Sequence, residues 1–180
     1  MTILRIPKDR LGALIGPAGE TRKILEQRSG VKLDVDSDEN EVTVRDEKGA
    51  DPLMALKMRD IVKAIGRGFS PEHAMRLFSD DYYFELLDIH DYTGKNKSRM
   101  RQVTARIVGS EGKTRRILEE QTGCDIAIYG HTVGIIGTLE DLQNAKIAAD
   151  MILSGAEHAS VYRFLENKRR QQARESGKLW

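Results

Sequence analysis

Apolar residues along this chain follow two rhythms, and the order in which the rhythms alternate predicts the elements. Thr2 to Ile6 is a short apolar run closed by Pro7, which lacks an N–H donor and suits a strand end. Lys8 to Ile15 carries Leu11, Leu14 and Ile15 at helical spacing, and Thr21 to Arg28 does the same with Ile24 and Leu25 before stopping at Gly30. Val31 to Val35 and Glu41 to Arg45 alternate at period two on either side of an acidic turn, which predicts a hairpin with one buried face. Leu53 to about Ile65 returns to helical spacing through Leu53, Leu56, Ile61, Val62 and Ile65, and ends at Gly66 and Gly68. The first part therefore reads strand, helix, helix, strand, strand, helix.

The same order follows a second time. Ser70-Pro71-Glu72 predicts an N-cap with proline at the first helical position, opening a short connector helix. Tyr82 to Ile89 reads as a strand, Lys97 to Ile107 as a longer first helix, Thr114 to Gln121 as the second, and Asp125 to Tyr129 with Thr132 to Ile136 as the hairpin. A helix from Leu139 follows through Leu142, Ala145, Ala149 and Ile152, pauses at Gly155 and resumes in Val161, Phe164 and Leu165.

The repetition extends to residue identity. Moving Gly16 onto Gly109, a shift of 93 residues, makes 8 of the 15 positions from Gly16 to Gly30 identical. Thr21, Arg22, Ile24, Leu25, Glu26 and Gly30 fall on Thr114, Arg115, Ile117, Leu118, Glu119 and Gly123, so the chain contains an internal duplication. The expected organisation is a first domain over residues 1–68, a connector over 69–81, a second domain over 82–158 and a basic helical extension over 159–180.

Composition narrows the class further. A chain of 180 residues that is 39% hydrophobic and 32% charged fits two small globular domains, with no apolar run long enough to span a bilayer. Its single cysteine excludes an internal disulfide and fits a reducing compartment, so cytoplasm is the expected location and no membrane partner is expected. The net charge of +1 is uninformative, but its distribution is not. From Gly94 to Arg116 there are eight basic residues and one acid, Glu111, whereas acids gather at Asp34 to Glu41 and Asp80 to Asp91. Such segregation places a local positive field on a nearly neutral molecule and steers a polyanion to one face.

The duplicated centre is a Gly-x-x-Gly loop between two helices: Gly16-Pro17-Ala18-Gly19 and Gly109-Ser110-Glu111-Gly112. Without Cβ atoms the backbone turns sharply and another backbone approaches closely, while the N–H groups of the following helix favour an anion. Lys8, Arg10, Arg22 and Lys23 surround the first loop, and Arg106, Lys113, Arg115 and Arg116 the second. Apolar residues flanking each loop, Ile107 among them, and the strand after it would form the walls of a groove narrow enough for a single strand.

Leu14-Ile15-Gly16-Pro17-Ala18-Gly19 and Ile107-Val108-Gly109-Ser110-Glu111-Gly112, each followed by a helix, a glycine, a hairpin and a helix, resemble the signature of the KH domain. The resemblance implies an α+β fold of two tandem KH domains of the β-α-α-β-β-α type, each a three-stranded antiparallel sheet with helices on one face. It also implies single-stranded RNA as ligand, clamped by the loop, with base edges meeting the strand near Leu33 to Val35 and Ile126, Ala127 and Ile128. Across nearly the whole chain it is similar to the archaeal small-subunit ribosome-assembly KH factor. That implies binding near the 3′ end of the small-subunit rRNA, with a nuclease or a translation or assembly factor docking on the first domain. An accessory subunit of an RNA-degrading complex and a protein-docking scaffold are the alternatives. Glu111 opposes phosphate in the second loop, but its basic neighbours outnumber it, so the second domain is expected to be the stronger clamp.

Other chemistry has little support. Gly112-Lys113-Thr114 imitates the end of a P-loop but has Ile107 where that loop needs glycine. His73, His90, His131 and His158 share no metal-ligand spacing with one another or with Cys124, and no nucleophile accompanies His90-Asp91. No catalytic residue, cofactor or metal is expected.

Overall fold

The computed structural model describes residues 1–177; Lys178 to Trp180, with which the expected basic extension of residues 159–180 ends, lie outside the described residues. The chain divides into two compact units, Met1–Phe84 and Glu85–Trp180. Among the described residues no helix is long and apolar enough to cross a membrane.

The first unit runs β1 (Thr2–Arg5), α1 (Lys8–Ile15), α2 (Glu20–Ser29), β2 (Lys32–Asp36), β3 (Glu41–Arg45) and α3 (Pro52–Gly66). Its antiparallel sheet has the order β1-β3-β2, with Leu4 opposite Val42 and Leu33 opposite Val44. Alternation puts Val42 and Val44 into the core with Leu33, Leu14, Leu25, Met58 and Ile61, all of them fully buried. The apolar pattern of α3 misled at its start: Leu53 and Leu56 face outward, and Ala55 and Met58 are buried in their place. Ile24, expected beside Leu25 on the inner face, is also exposed. Residues 100° apart on a helix share a face only when the groove that receives them is wide.

Beyond α3 the chain stays on the first unit through α4 (Pro71–Ala74) and the 3-10 turn Met75–Phe78. Ser70 caps α4 by accepting the His73 N–H at 3.3 Å, as its position before proline predicts. Lys57 on α3 donates to the Phe78 carbonyl at 2.7 Å and pairs with Asp80, and the Arg28 guanidinium lies 4.5 Å from the Phe78 ring centre.

The second unit runs β4 (Tyr83–Asp88, straddling the division), α5 (His90–Thr93), α6 (Lys97–Val108), α7 (Lys113–Thr122), β5 (Asp125–Tyr129), β6 (Thr132–Gly137), α8 (Leu139–Leu153) and α9 (His158–Glu175). Its sheet order, β4-β6-β5, reproduces that of the first. The extra residues before the second loop form α5 and lengthen the helix after it. Ile107, Leu118, Ile126, Ile135, Ala149 and Ile152 form the core, and α9 adds Val161 and Leu165 to it. Arg163, Arg169, Arg170 and Arg174 on α9 remain exposed.

Candidate nucleic-acid interface

Each Gly-x-x-Gly loop is a 3-10 turn between two helices, and the two copies match to within a few degrees. Gly16 and Gly109 have φ/ψ of 73°/173° and 74°/174°, Ala18 and Glu111 52°/25° and 53°/31°, Gly19 and Gly112 73°/15° and 74°/17°. The two glycines of a loop do different work. A Cβ on Gly16 or Gly109 would stand within 3 Å of the backbone nitrogen of Thr21 or Thr114, so the first glycine is required by the fold. A Cβ on Gly19 would meet nothing within 4 Å, and on Gly112 only the far end of Arg115. The second glycine leaves open space where a ligand backbone would arrive. The side chains between them, Pro17, Ala18, Ser110 and Glu111, are all exposed.

The opposite wall is the free edge of the sheet. Glu26 Oε1 accepts the Leu33 N–H at 2.8 Å, and Glu119 Oε1 accepts the Ile126 N–H at 2.9 Å. Those N–H groups therefore point away from the central strand, and antiparallel alternation turns the N–H and C=O of Val35 and Ile128 outward as well. Arg22 and Arg115 lie against the same carboxylates, each at 3.4 Å. These glutamates were missed as site residues, although their identity in both copies was the available signal.

The predicted cations separate into two groups. Lys8, Lys23, Lys113 and Arg116 are exposed, and Arg116 reaches back to the Glu111 carbonyl at 3.3 Å. Arg10 and Arg106 instead turn inward. Arg10 donates to the carbonyls of Ile65 at 2.8 Å and Phe69 at 2.7 Å, and Arg106 to those of Ile152 at 2.7 Å and Ala156. Arg10 thus closes the C-terminal end of α3 and Arg106 that of α8, where the last carbonyls run out of helical N–H partners. Ile107 and Ile126, expected at the groove, are buried beneath it because the core needs their volume, while Ala127 and Ile128 are half-buried.

Electrostatics distinguish the copies. Arg22 has a second acid, Asp34, at 4.0 Å, and Asp34 also pairs with Arg45. At the equivalent place in the second unit stands Ala127, so Arg115 has no such competitor. The first hairpin turns through Asp36, Asp38 and Glu39, the second through Gly130 and His131. Open hollows flank the second loop on both sides: Met100, Arg101, Thr104, Val108 and Gly130 line one, Lys113, His158 and Tyr162 the other. His158 donates Nε2–H to the Arg106 carbonyl at 2.8 Å, which fixes the start of α9 beside the loop.

Two side chains in this unit have their protons held by their surroundings. Burial pushes the Cys124 thiol up to about 12, which keeps it neutral. Burial, reinforced by its hydrogen bond to Asp150 at 2.6 Å, also raises Tyr92 to about 12.

Comparison with known proteins adds five matches. Residues 83–170 match the family model of the eukaryotic-type, type I KH domain, and residues 1–57 that of the KH domain. A KH domain-containing protein of Methanocaldococcus jannaschii is 47% identical over 178 residues, which are 99% of this chain and 78% of that protein. Dim2p from Pyrococcus horikoshii superposes with a TM-score of 0.84 at 43% identity, covering 92% of this chain and 98% of that one. A second Pyrococcus horikoshii structure, a complex of a/eIF2alpha, aDim2p and rRNA, matches at a TM-score of 0.88 and 42% identity over 94% of both chains.

Proposed function

This chain belongs to the family of KH-domain proteins, and from that premise we propose that it binds single-stranded RNA in its Gly-x-x-Gly grooves, foremost in the second. The observation that carries the reading is the geometry at that loop: an open second glycine, Gly112, with Lys113 and Arg116 exposed beside it and β5 at the edge of the sheet. Phosphates pass over Gly109, Ser110, Glu111 and Gly112 and the first turn of α7, where helix N–H groups and cations meet them. Bases lie toward β5, where Ile128 offers one donor and one acceptor from its backbone. A duplex cannot present its base edges to that wall.

The RNA we assign is the 3′ region of the small-subunit rRNA, held during ribosome assembly and rRNA processing. The similarity to a Dim2p solved together with rRNA supports this. The first unit, whose groove contains Asp34 and is bordered by an acidic hairpin, assists or docks a protein: a processing nuclease, or a translation or assembly factor. The a/eIF2alpha in the same complex supports a docking role. No step of the reading requires catalysis.

Fluorescence anisotropy with the last single-stranded segment of the small-subunit rRNA tests it. Tight, salt-sensitive binding is expected, with loss on Ser110→Asp and a smaller loss on Pro17→Asp, since both residues are exposed and both changes leave the glycines in place. Equal affinity for a duplex, or a larger loss from Pro17→Asp, would overturn the reading.

A further inference from the structure

Away from the loop glycines, the corner where β4 ends and the turn between β5 and β6 bring together three side chains whose positions in the sequence are far apart. Asp88, His90 and His131 each offer a ligand atom, and the three atoms lie within 4.8 Å of one another. His131 Nδ1 is 2.9 Å from Asp88 Oδ1 and His90 Nδ1 is 3.4 Å from the same oxygen. Donors that share a tetrahedral zinc ion at bond lengths of 2.0–2.2 Å stand about 3.4 Å apart, the separation of the His90–Asp88 pair, and the other donors lie within the small movement that one ion would require.

The arrangement is held from behind by the backbone. Ile89 N–H donates to the His131 carbonyl at 2.7 Å, which pins the turn to the strand end. The His90 N–H donates to Asp88 Oδ1 at 2.9 Å and orients the carboxylate, the kind of outer support that metal ligands need. The two imidazole rings stack at 4.5 Å with 16° between their planes, so they turn apart to bring both in-plane lone pairs onto one ion; all three side chains are about two-fifths exposed, which leaves room for that turn and for an ion to enter from solvent.

We propose that Asp88, His90 and His131 form a binding site for one divalent transition-metal ion of the zinc class. Two imidazoles and a carboxylate suit zinc, nickel or cobalt and are poor ligands for magnesium or calcium, which prefer oxygen. Both imidazoles coordinate as neutral rings through Nδ1 and carry their proton on Nε2, which faces water. Three protein ligands leave a position open for water or another donor. The ion ties the end of β4 to the turn beside Gly130, one wall of the hollow next to Gly109 and Ser110. The site does not depend on the RNA-binding reading, and it can fail while that reading stands.

The test uses the full chain stripped of metal at pH 7.5. Titration with Co2+ should give one equivalent bound, with the visible absorption of a four- or five-coordinate ion, and Zn2+ should displace it at micromolar concentration. Zn2+ should also raise the melting temperature by several degrees. His90→Ala and His131→Ala should each weaken binding at least tenfold, and His73→Ala should leave it unchanged. If His131→Ala fails to fold, His90→Asn, at an exposed position, serves the same purpose. No binding at millimolar Zn2+, or binding that survives the loss of both His90 and His131, would overturn the assignment.

Discussion

Replacing each glycine of the second loop by alanine separates what the fold requires from what a ligand requires. Gly109 and Gly112 have the same φ, 74°, but ψ is 174° at the first and 17° at the second. The second pair is left-handed helical, where alanine costs roughly 1 kcal/mol, partly offset by its stiffer unfolded chain. The first lies in a region used almost only by glycine, a cost of about 1–3 kcal/mol before any contact is counted. A Cβ there would also stand 2.3 Å from Thr114 Oγ1 and 2.6 Å from the Thr114 backbone nitrogen. Thr114 is buried in the first turn of α7, so relieving that overlap means moving the helix. Gly109→Ala should therefore destabilise the second unit by about 3 kcal/mol or more. With a urea dependence of ~2 kcal/mol per molar, the midpoint falls by about 1.5 M, against about 0.5 M or less for Gly112→Ala. Cys124 supplies a local assay, because it is the one cysteine of the sequence and is buried in the core of that unit. Its labelling as urea rises reports opening of the second unit. Gly112→Ala, still folded, should bind RNA several-fold less tightly. Equal midpoints for the two variants would refute the division of labour between the glycines.

Other outcomes follow from the same geometry. Arg106→Ala should cost about 2–3 kcal/mol of stability, measured by urea unfolding, because the Ile152 and Ala156 carbonyls lose a charged donor. Arg116→Ala should leave stability unchanged while weakening RNA binding and lowering its salt slope by about one ion. Ala127→Asp, which copies Asp34 into the second groove, should lower RNA affinity several-fold, measured by anisotropy beside Asp34→Ala in the first groove. Cys124 and Tyr92 hold their protons up to about 12 when folded, whereas the unfolded chain releases them near their ordinary values. Above about pH 9 the unfolded state thus binds fewer protons, so stability should fall as pH rises from 9 to 12, and Tyr92→Phe should flatten part of that fall in urea midpoints.

The duplication, the element order and the position of both loops were legible in the sequence, because a glycine at positive φ, an alternating strand and a helical stripe are local patterns. The strand order was read from the structure, and it is the same in both sheets because equal motifs in equal order build equal units. Local patterns do not say where a long side chain ends. Arg10 and Arg106 look like loop cations in the sequence, yet carbonyls 46 to 59 residues away hold them inside. Asp34 became a competitor for Arg22 only when β2 was laid beside α2, and Glu26 and Glu119 became groove walls only when a strand edge needed an acceptor. Asp88, His90 and His131 lack any spacing that marks a metal site, because a turn 41 residues beyond His90 completes the set. Tertiary structure decided these matters for one physical reason: buried polar groups must find partners, and the partner is chosen by proximity in space after the backbone has folded.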